Sequence, residues 1–177
     1  MTIILGIDPG TTESGWVLYD TAKKLPVAYA KESNERIIQR ISWAPFDKVM
    51  RPDPSWLVVE KIKSYGKIAG QSTFDTCVWV GRFMQAFAAD DDGGNPPHCV
   101  TLLERLAVKK HICKSGHAKD GEIRQALIDR YAPRGGDKRE AVGVKSDPGP
   151  LYGMSKDMWQ AFGLVITAAE TGVIPVG

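Results

Sequence analysis

Thr2-Ile3-Ile4-Leu5-Gly6-Ile7-Asp8-Pro9-Gly10 decides how the rest of the chain is read. A short apolar, β-branched run ends at an acid and a Pro-Gly turn, the pattern of a buried strand that stops at Asp8. Two more short runs follow, Trp16 to Tyr19 and Pro26 to Ala30, separated by the polar stretch from Asp20 to Lys24. Connections this short predict a three-stranded antiparallel meander. Beyond it, Asn34 is placed to cap a helix whose Ile37, Ile38 and Ile41 share one face.

Pro52-Asp53-Pro54 interrupts the chain, and Trp56 to Val59 reads as a strand ending at Glu60. Its lack of alternation predicts cover on both faces. A helix is expected from about Ser72 to Ala88, with Val78, Phe83, Met84 and Phe87 among its apolar positions. The turn-rich run from Asp90 to Pro97 ends it. Val100 to Leu103 reads as a strand, and Glu104 to Tyr131 as one or two helices. Ala132 to Gly153 carries five glycines and three prolines and predicts a long loop of the functional or mobile kind. The last helix, Ser155 to about Thr171, is apolar on nearly all sides and should be buried. The order β-β-β-α-β-α-β-α-α predicts one mixed α/β domain spanning residues 1–177.

Composition excludes several classes. The 177 residues are 43% hydrophobic and 25% charged, ordinary for a globular domain. No apolar run approaches the roughly 18 residues of a membrane span. The amino terminus lacks a basic region and meets an acid at Asp8, unlike a signal peptide. Three cysteines (Cys77, Cys99 and Cys113) are too few and odd for a disulfide framework and predict a reducing, cytoplasmic setting. The net charge of +2 decides nothing about polyanions, so the position of each charge matters more than the total.

Three carboxylates stand out. Asp8 and Glu60 end predicted central strands, where α/β sheets commonly carry their sites. Asp157 opens an otherwise apolar helix in Met154-Ser155-Lys156-Asp157-Met158-Trp159-Gln160. Each has a structural alternative: turn chemistry for Asp8, pairing with Lys61 or Lys63 for Glu60, and a first-turn acid complementing the helix dipole for Asp157. Together they form an oxygen donor set suited to Mg²⁺ or Mn²⁺, and hence to phosphoryl chemistry.

Gly6-Ile7-Asp8-Pro9-Gly10, then Ser14-Gly15-Trp16-Val17-Leu18-Tyr19-Asp20, Val58-Val59-Glu60 and the late Asp157 helix resemble the RuvC-type Holliday junction resolvases. The likeness is greatest to their shorter, phage-associated branch, which His117 to Asp120, Arg124 to Ile128 and Gly149 to Gly153 also resemble. It covers most of the chain. The resemblance implies a ribonuclease-H-like fold, an α/β mixed five-stranded sheet in which three antiparallel strands continue into parallel ones, with helices on both faces. It also implies a Mg²⁺-dependent homodimer that nicks two strands of a four-way DNA junction. Asp8, Glu60 and Asp157 would then be the catalytic metal ligands. The family carries two metal-binding side chains three residues apart on the last helix. Here the partner position holds either Met154 or Gln160, so Gln160 is the candidate fourth ligand, with Asp147 of the long loop a remoter one.

Two acid-free stretches gather cations. Lys61, Lys63 and Lys67 flank Tyr65, and if extended would form one cationic face with an aromatic able to stack on a base. Arg105, Lys109, Lys110, Lys114 and Lys119 occur with no Asp or Glu among them. Lys109 and Lys119 match positions where the resolvases carry lysines near the active site. Such lysines would neutralise phosphates. His98, Cys99, His111, Cys113 and His117 lack the paired spacing of a structural zinc site. Competing functions are a nuclease on other branched DNA, a junction-binding module without catalysis, and a sugar-kinase-like ATPase. The first loop, Asp8 to Ser14, also resembles the phosphate loop of sugar kinases, but that family needs two such domains, more than this length provides.

Overall fold

The computed structural model describes residues 2–42, 54–64, 66, 68–88, 99–132 and 138–174. Strands β1 (Ile3–Asp8), β2 (Glu13–Asp20) and β3 (Leu25–Ser33) form the expected meander. After α1 (Asn34–Ser42), β4 (Trp56–Lys61) pairs parallel to β1. After α2 (Gln71–Ala88), β5 (Val100–Glu104) pairs parallel to β4. The five-stranded order is β3-β2-β1-β4-β5. The chain continues through α3 (Arg105–Cys113), α4 (Asp120–Tyr131), α5 (Lys138–Ala141), the short hairpin β6 (Gly143–Val144) and β7 (Asp147–Pro148), and α6 (Asp157–Glu170).

Strand alternation divides the core into two layers. Ile3, Leu5 and Ile7 of β1, with Leu57 and Val59 of β4, pack against Ile37 of α1 and Val80, Phe83 and Phe87 of α2. Ile4, Val17 and Val58 face Ile123 and Leu127 of α4 and Phe162 and Val165 of α6. Every residue of α6 from Met158 to Ala168 is buried, as its all-round apolar sequence predicts. Pro26, which has no N–H to donate, lies on edge strand β3 beside a register shift at Leu18/Tyr19.

Two sequence expectations change. Within the stretch from Ala132 to Gly153, the described residues 138–153 are not a structureless loop: they carry α5 and the β6–β7 hairpin, and Leu151 is fully buried. Gly143 and Gly149 allow this, because a Cβ at either would meet the facing backbone of the same stretch. Asn34 does not cap α1. Ser33 does, its hydroxyl accepting from the Arg36 amide at 3.3 Å, while the buried Asn34 side chain turns inward.

Candidate active site

Asp8 and Glu60 meet because their strands are adjacent and parallel. Ile7 pairs with Val59, and the next residue of each strand is an acid at the carboxyl end. Alternation turns Ile4, Gly6 and Asp8, like Val58 and Glu60, towards α6. Burial, and then the neighbouring Glu60 charge, raise Asp8 from the ordinary 3.8 to about 8. Asp157 adds to this, while Arg105 opposes it.

Asp157 comes from the opposite layer. A Cβ on Gly15 would lie 2.5 Å from the Asp157 carbonyl carbon, so only a glycine lets the start of α6 rest on β2 here. Gly6 serves the same docking further along, where a Cβ would strike Val165 and Ala161. Asp8 pairs with Gly15 and Gly15 pairs with Lys31. Asp157 therefore stands above a row with Asp8 on one flank and Lys31 on the other. Lys31 Nζ lies 2.8 Å from Asp157 Oδ2 and 3.8 Å from Glu13 Oε2.

The other flank also ends in a cation. Arg105 follows β5 directly, beside the strand that carries Glu60. Its Nη1 lies 3.1 Å from Glu60 Oε2 and its Nη2 2.7 Å from Asp120 Oδ1. Among the described residues Glu60 thus has its ion pair with Arg105 rather than with Lys61 or Lys63. Lys63 is bound to Glu104 at 3.0 Å.

The loop between β1 and β2 forms one wall of a cleft of about 260 Å³, which Asp8, Lys31 and Asp157 also line. A closed hydrogen-bond ring holds this loop. The Gly10 amide donates to Ser14 Oγ at 3.1 Å, Ser14 Oγ donates to Asn34 Oδ1 at 2.6 Å, and Asn34 Nδ2 donates to the Gly10 carbonyl at 3.0 Å. Ser14 and Asn34 are completely buried.

Gln160 and Met154 line a separate cleft of about 350 Å³ with Asp120 and Arg124. Lys61 is exposed at the end of β4, and Tyr65 and Lys67 lie outside the described residues. Lys109 is one turn after Arg105 on α3, and Lys110 and Lys114, both exposed, follow towards and just past the helix's far end. Lys119 is exposed and directly precedes Asp120, the partner of Arg105. Asp147 is exposed in the β6–β7 hairpin.

Among the described residues, no group of three or more His, Cys, Asp or Glu side chains is gathered at metal-binding spacing. Asp8 and Glu60 are together, and Asp157 is drawn towards Lys31. The donor chemistry still suits a hard divalent cation, since Asp8 and Asp157 line one cleft and the Glu60 carboxylate neighbours Asp8. Sequence reasoning did not single out Lys31, and it ranked Arg105 merely as one of five basic residues.

This sheet order, with helices on both faces, defines a ribonuclease-H-like fold of the RuvC type. Among solved structures, the chain is similar to RuvC of Thermus thermophilus, at TM-score 0.64 and 17% identity, over 97% of this chain and 98% of that one. It is equally similar to a structure of the Thermus thermophilus RuvC in complex with a Holliday junction substrate, at TM-score 0.64 and 16% identity, covering 98% and 96% of the two chains. No protein-family model and no curated protein sequence matches the chain.

Proposed function

We propose that the protein is a metal-dependent endonuclease that resolves four-way DNA junctions. The observation that carries this reading is the Asp8–Glu60 pair, two carboxylates ending adjacent parallel strands under the first turn of α6. The RuvC fold, one solved example of which holds a Holliday junction, supports the choice of substrate.

Asp8, Glu60 and Asp157 would hold Mg²⁺, or Mn²⁺ in its place. When bound, the ion lowers the pKa of water and offsets charge on the phosphate. The water oxygen adds to phosphorus, and the bond to one ester oxygen breaks with its electron pair on that oxygen. The proton lost by the water ends on the leaving oxygen, giving a phosphomonoester and an alcohol. Arg105 holds Glu60 in place, and the Gly10–Ser14–Asn34 ring keeps the cleft wall rigid. Lys61, Lys109, Lys110, Lys114 and Lys119, with Lys63, Tyr65 and Lys67, are the proposed contacts to the arms of the junction.

Cutting two strands symmetrically requires two sites. Phe74 and Val78, one turn apart on α2, are 58% and 62% exposed, and Ile68 ahead of the helix is 99% exposed. This apolar face suits a second copy of the chain. The test is cleavage of synthetic four-way junctions with Mg²⁺ by wild type, Asp8→Asn and Glu60→Gln. The reading expects cleavage by wild type alone, with binding by all three. Wild-type binding without cleavage in Mg²⁺ or Mn²⁺ would reduce the protein to a binding module.

A further inference from the structure

We propose that the cleft between α4 and the start of α6 takes one unpaired nucleobase of the DNA, with the Gln160 amide reading its edge. The proposal rests on the nuclease reading and deepens it by naming the part of the substrate held beside the cut. The start of α6 separates two clefts. Asp157 lines the one that holds Asp8, while Lys156 and Gln160 line the other with Asp120 and Arg124. An ion-pair chain runs from this second cleft to the acids of the sheet: Asp120 binds Arg105 at 2.7 Å, and Arg105 binds Glu60 at 3.1 Å.

Gln160 is the residue that asks for a ligand. It is only 8% exposed, and among the described residues nothing hydrogen-bonds its side chain. Burying an amide without a partner costs free energy. Neither of its polar atoms is sealed, because among the described residues no side-chain N or O is closed off from solvent without a hydrogen bond. The amide therefore opens into the cleft it lines. Its carbonyl and NH₂ set an acceptor beside a donor, the pattern that base edges present in return.

The rest of the lining suits a base better than a bare phosphate. Buried Met154 and Trp159 give the cleft an apolar inner side next to the neutral amide. The cations stand outside it. Lys156 and Arg124 are both exposed, and the Arg124 guanidinium lies over the Trp159 ring, its Cζ 5.6 Å from the centroid. A phosphate in the cleft would set its charge against a thioether and an indole. A base instead lays its faces on apolar groups and leaves its own phosphate outside, beside Lys156 and Arg124. The volume of about 350 Å³ is near the small end of the roughly 300–1,000 Å³ of organic-ligand pockets, which suits one nucleoside and not a stack of them. Unstacking a base is least costly where pairing is already interrupted, as at a crossover.

Two measurements on the full-length chain decide it. In the Glu60→Gln protein, 4-thiothymidine is placed at each position around the crossover of a four-way junction in turn and irradiated. One position should crosslink to the peptide that carries Met154 and Trp159, and adding Gln160→Leu should lower that yield several-fold. No crosslink there from any position overturns the proposal. With Mg²⁺, wild type should cut junctions that differ only in the base at that position at rates at least about fivefold apart. Gln160→Leu should bring those rates together. Equal rates in wild type, or a spread that survives Gln160→Leu, overturn the reading of the base by Gln160. An equal crosslink yield from free 4-thiouridine monophosphate would assign the cleft to a free nucleotide and overturn its place on the substrate. Junction crosslinks at the cleft, together with a wild type that cuts no DNA, would sink the nuclease reading and leave the base site standing.

Discussion

Gly15 touches Asp157 backbone to backbone: a methyl group on Gly15 would lie 2.5 Å from the Asp157 carbonyl carbon and 2.8 Å from the Met158 nitrogen. The side chain that β2 omits is therefore what brings an acid of the helical layer to the acids of the sheet. Gly6 makes a similar contact deeper along α6, against Val165 and Ala161.

Gly15→Ala and Gly6→Ala should each cost about 1–3 kcal/mol, the usual range for overpacking a close contact. They should differ in function. Gly15→Ala displaces Asp157 itself and should lower Mn²⁺ affinity at least tenfold, whereas Gly6→Ala strains the middle of α6 and should change it less. Urea unfolding and Mn²⁺ titration on both variants check this, and equal losses of metal affinity would refute the contact's role in placing Asp157.

Asp8 makes metal-free stability depend on pH. The native carboxyl holds its proton up to about pH 8, while the unfolded chain releases it near the ordinary 3.8. Between those values the native state binds more protons, so this group's contribution falls as pH rises and levels off above the native value. Asp8→Asn removes the titration. In EDTA the variant should exceed wild type by on the order of a few kcal/mol at pH 9, and the gap should close towards pH 4. Thermal melts across that range read it directly. Parallel curves would mean that Asp8 is not held protonated.

The strands that carry the site are legible in the sequence because each is a β-branched run ended by an acid, and α6 because it is apolar all round. Lys31 is not legible. In Ala30-Lys31-Glu32-Ser33 nothing local tells which face of an edge strand the lysine takes; that follows from its pairing with Gly15, set by the β2–β3 register and the shift at Leu18/Tyr19. Arg105 is similarly hidden, since its relation to Glu60 depends on β5 lying beside β4. Asn34 reads as a helix cap because its chemistry suits one. The buried Ser14 hydroxyl and Gly10 carbonyl claim its side chain instead, and Ser33 takes the cap.

Glu32 should govern part of the acid limb. Burial works to raise its carboxyl, but hydrogen bonds from Arg40 and the Trp16 indole outweigh it and hold the group below the usual carboxylate range. A lowered native pKa contributes stability above the unfolded value and loses it as pH falls through the native one. Glu32→Gln should thus be less stable than wild type at pH 7 by about 1 kcal/mol, the pair being partly solvated. The two should converge below the native Glu32 pKa. A difference that persists undiminished to the lowest pH at which both fold would assign the loss to packing.

Asn34 tests whether the cleft wall needs its hydrogen-bond ring. Asn34→Ala strands the Ser14 hydroxyl and the Gly10 carbonyl without this partner and should cost about 1–3 kcal/mol. Asn34→Asp is more discriminating, because it keeps the acceptor for Ser14 and replaces the donor to Gly10 by a second oxygen. At neutral pH that oxygen is charged, buried and set against a carbonyl, so the variant should be destabilised at least as much as Asn34→Ala. Protonation gives the acid a donor for the Gly10 carbonyl, so the deficit against wild type should shrink as pH falls. Melting temperatures of the three proteins between pH 4 and pH 8 measure it. A deficit independent of pH would show that Asn34 Nδ2 is not what holds the loop.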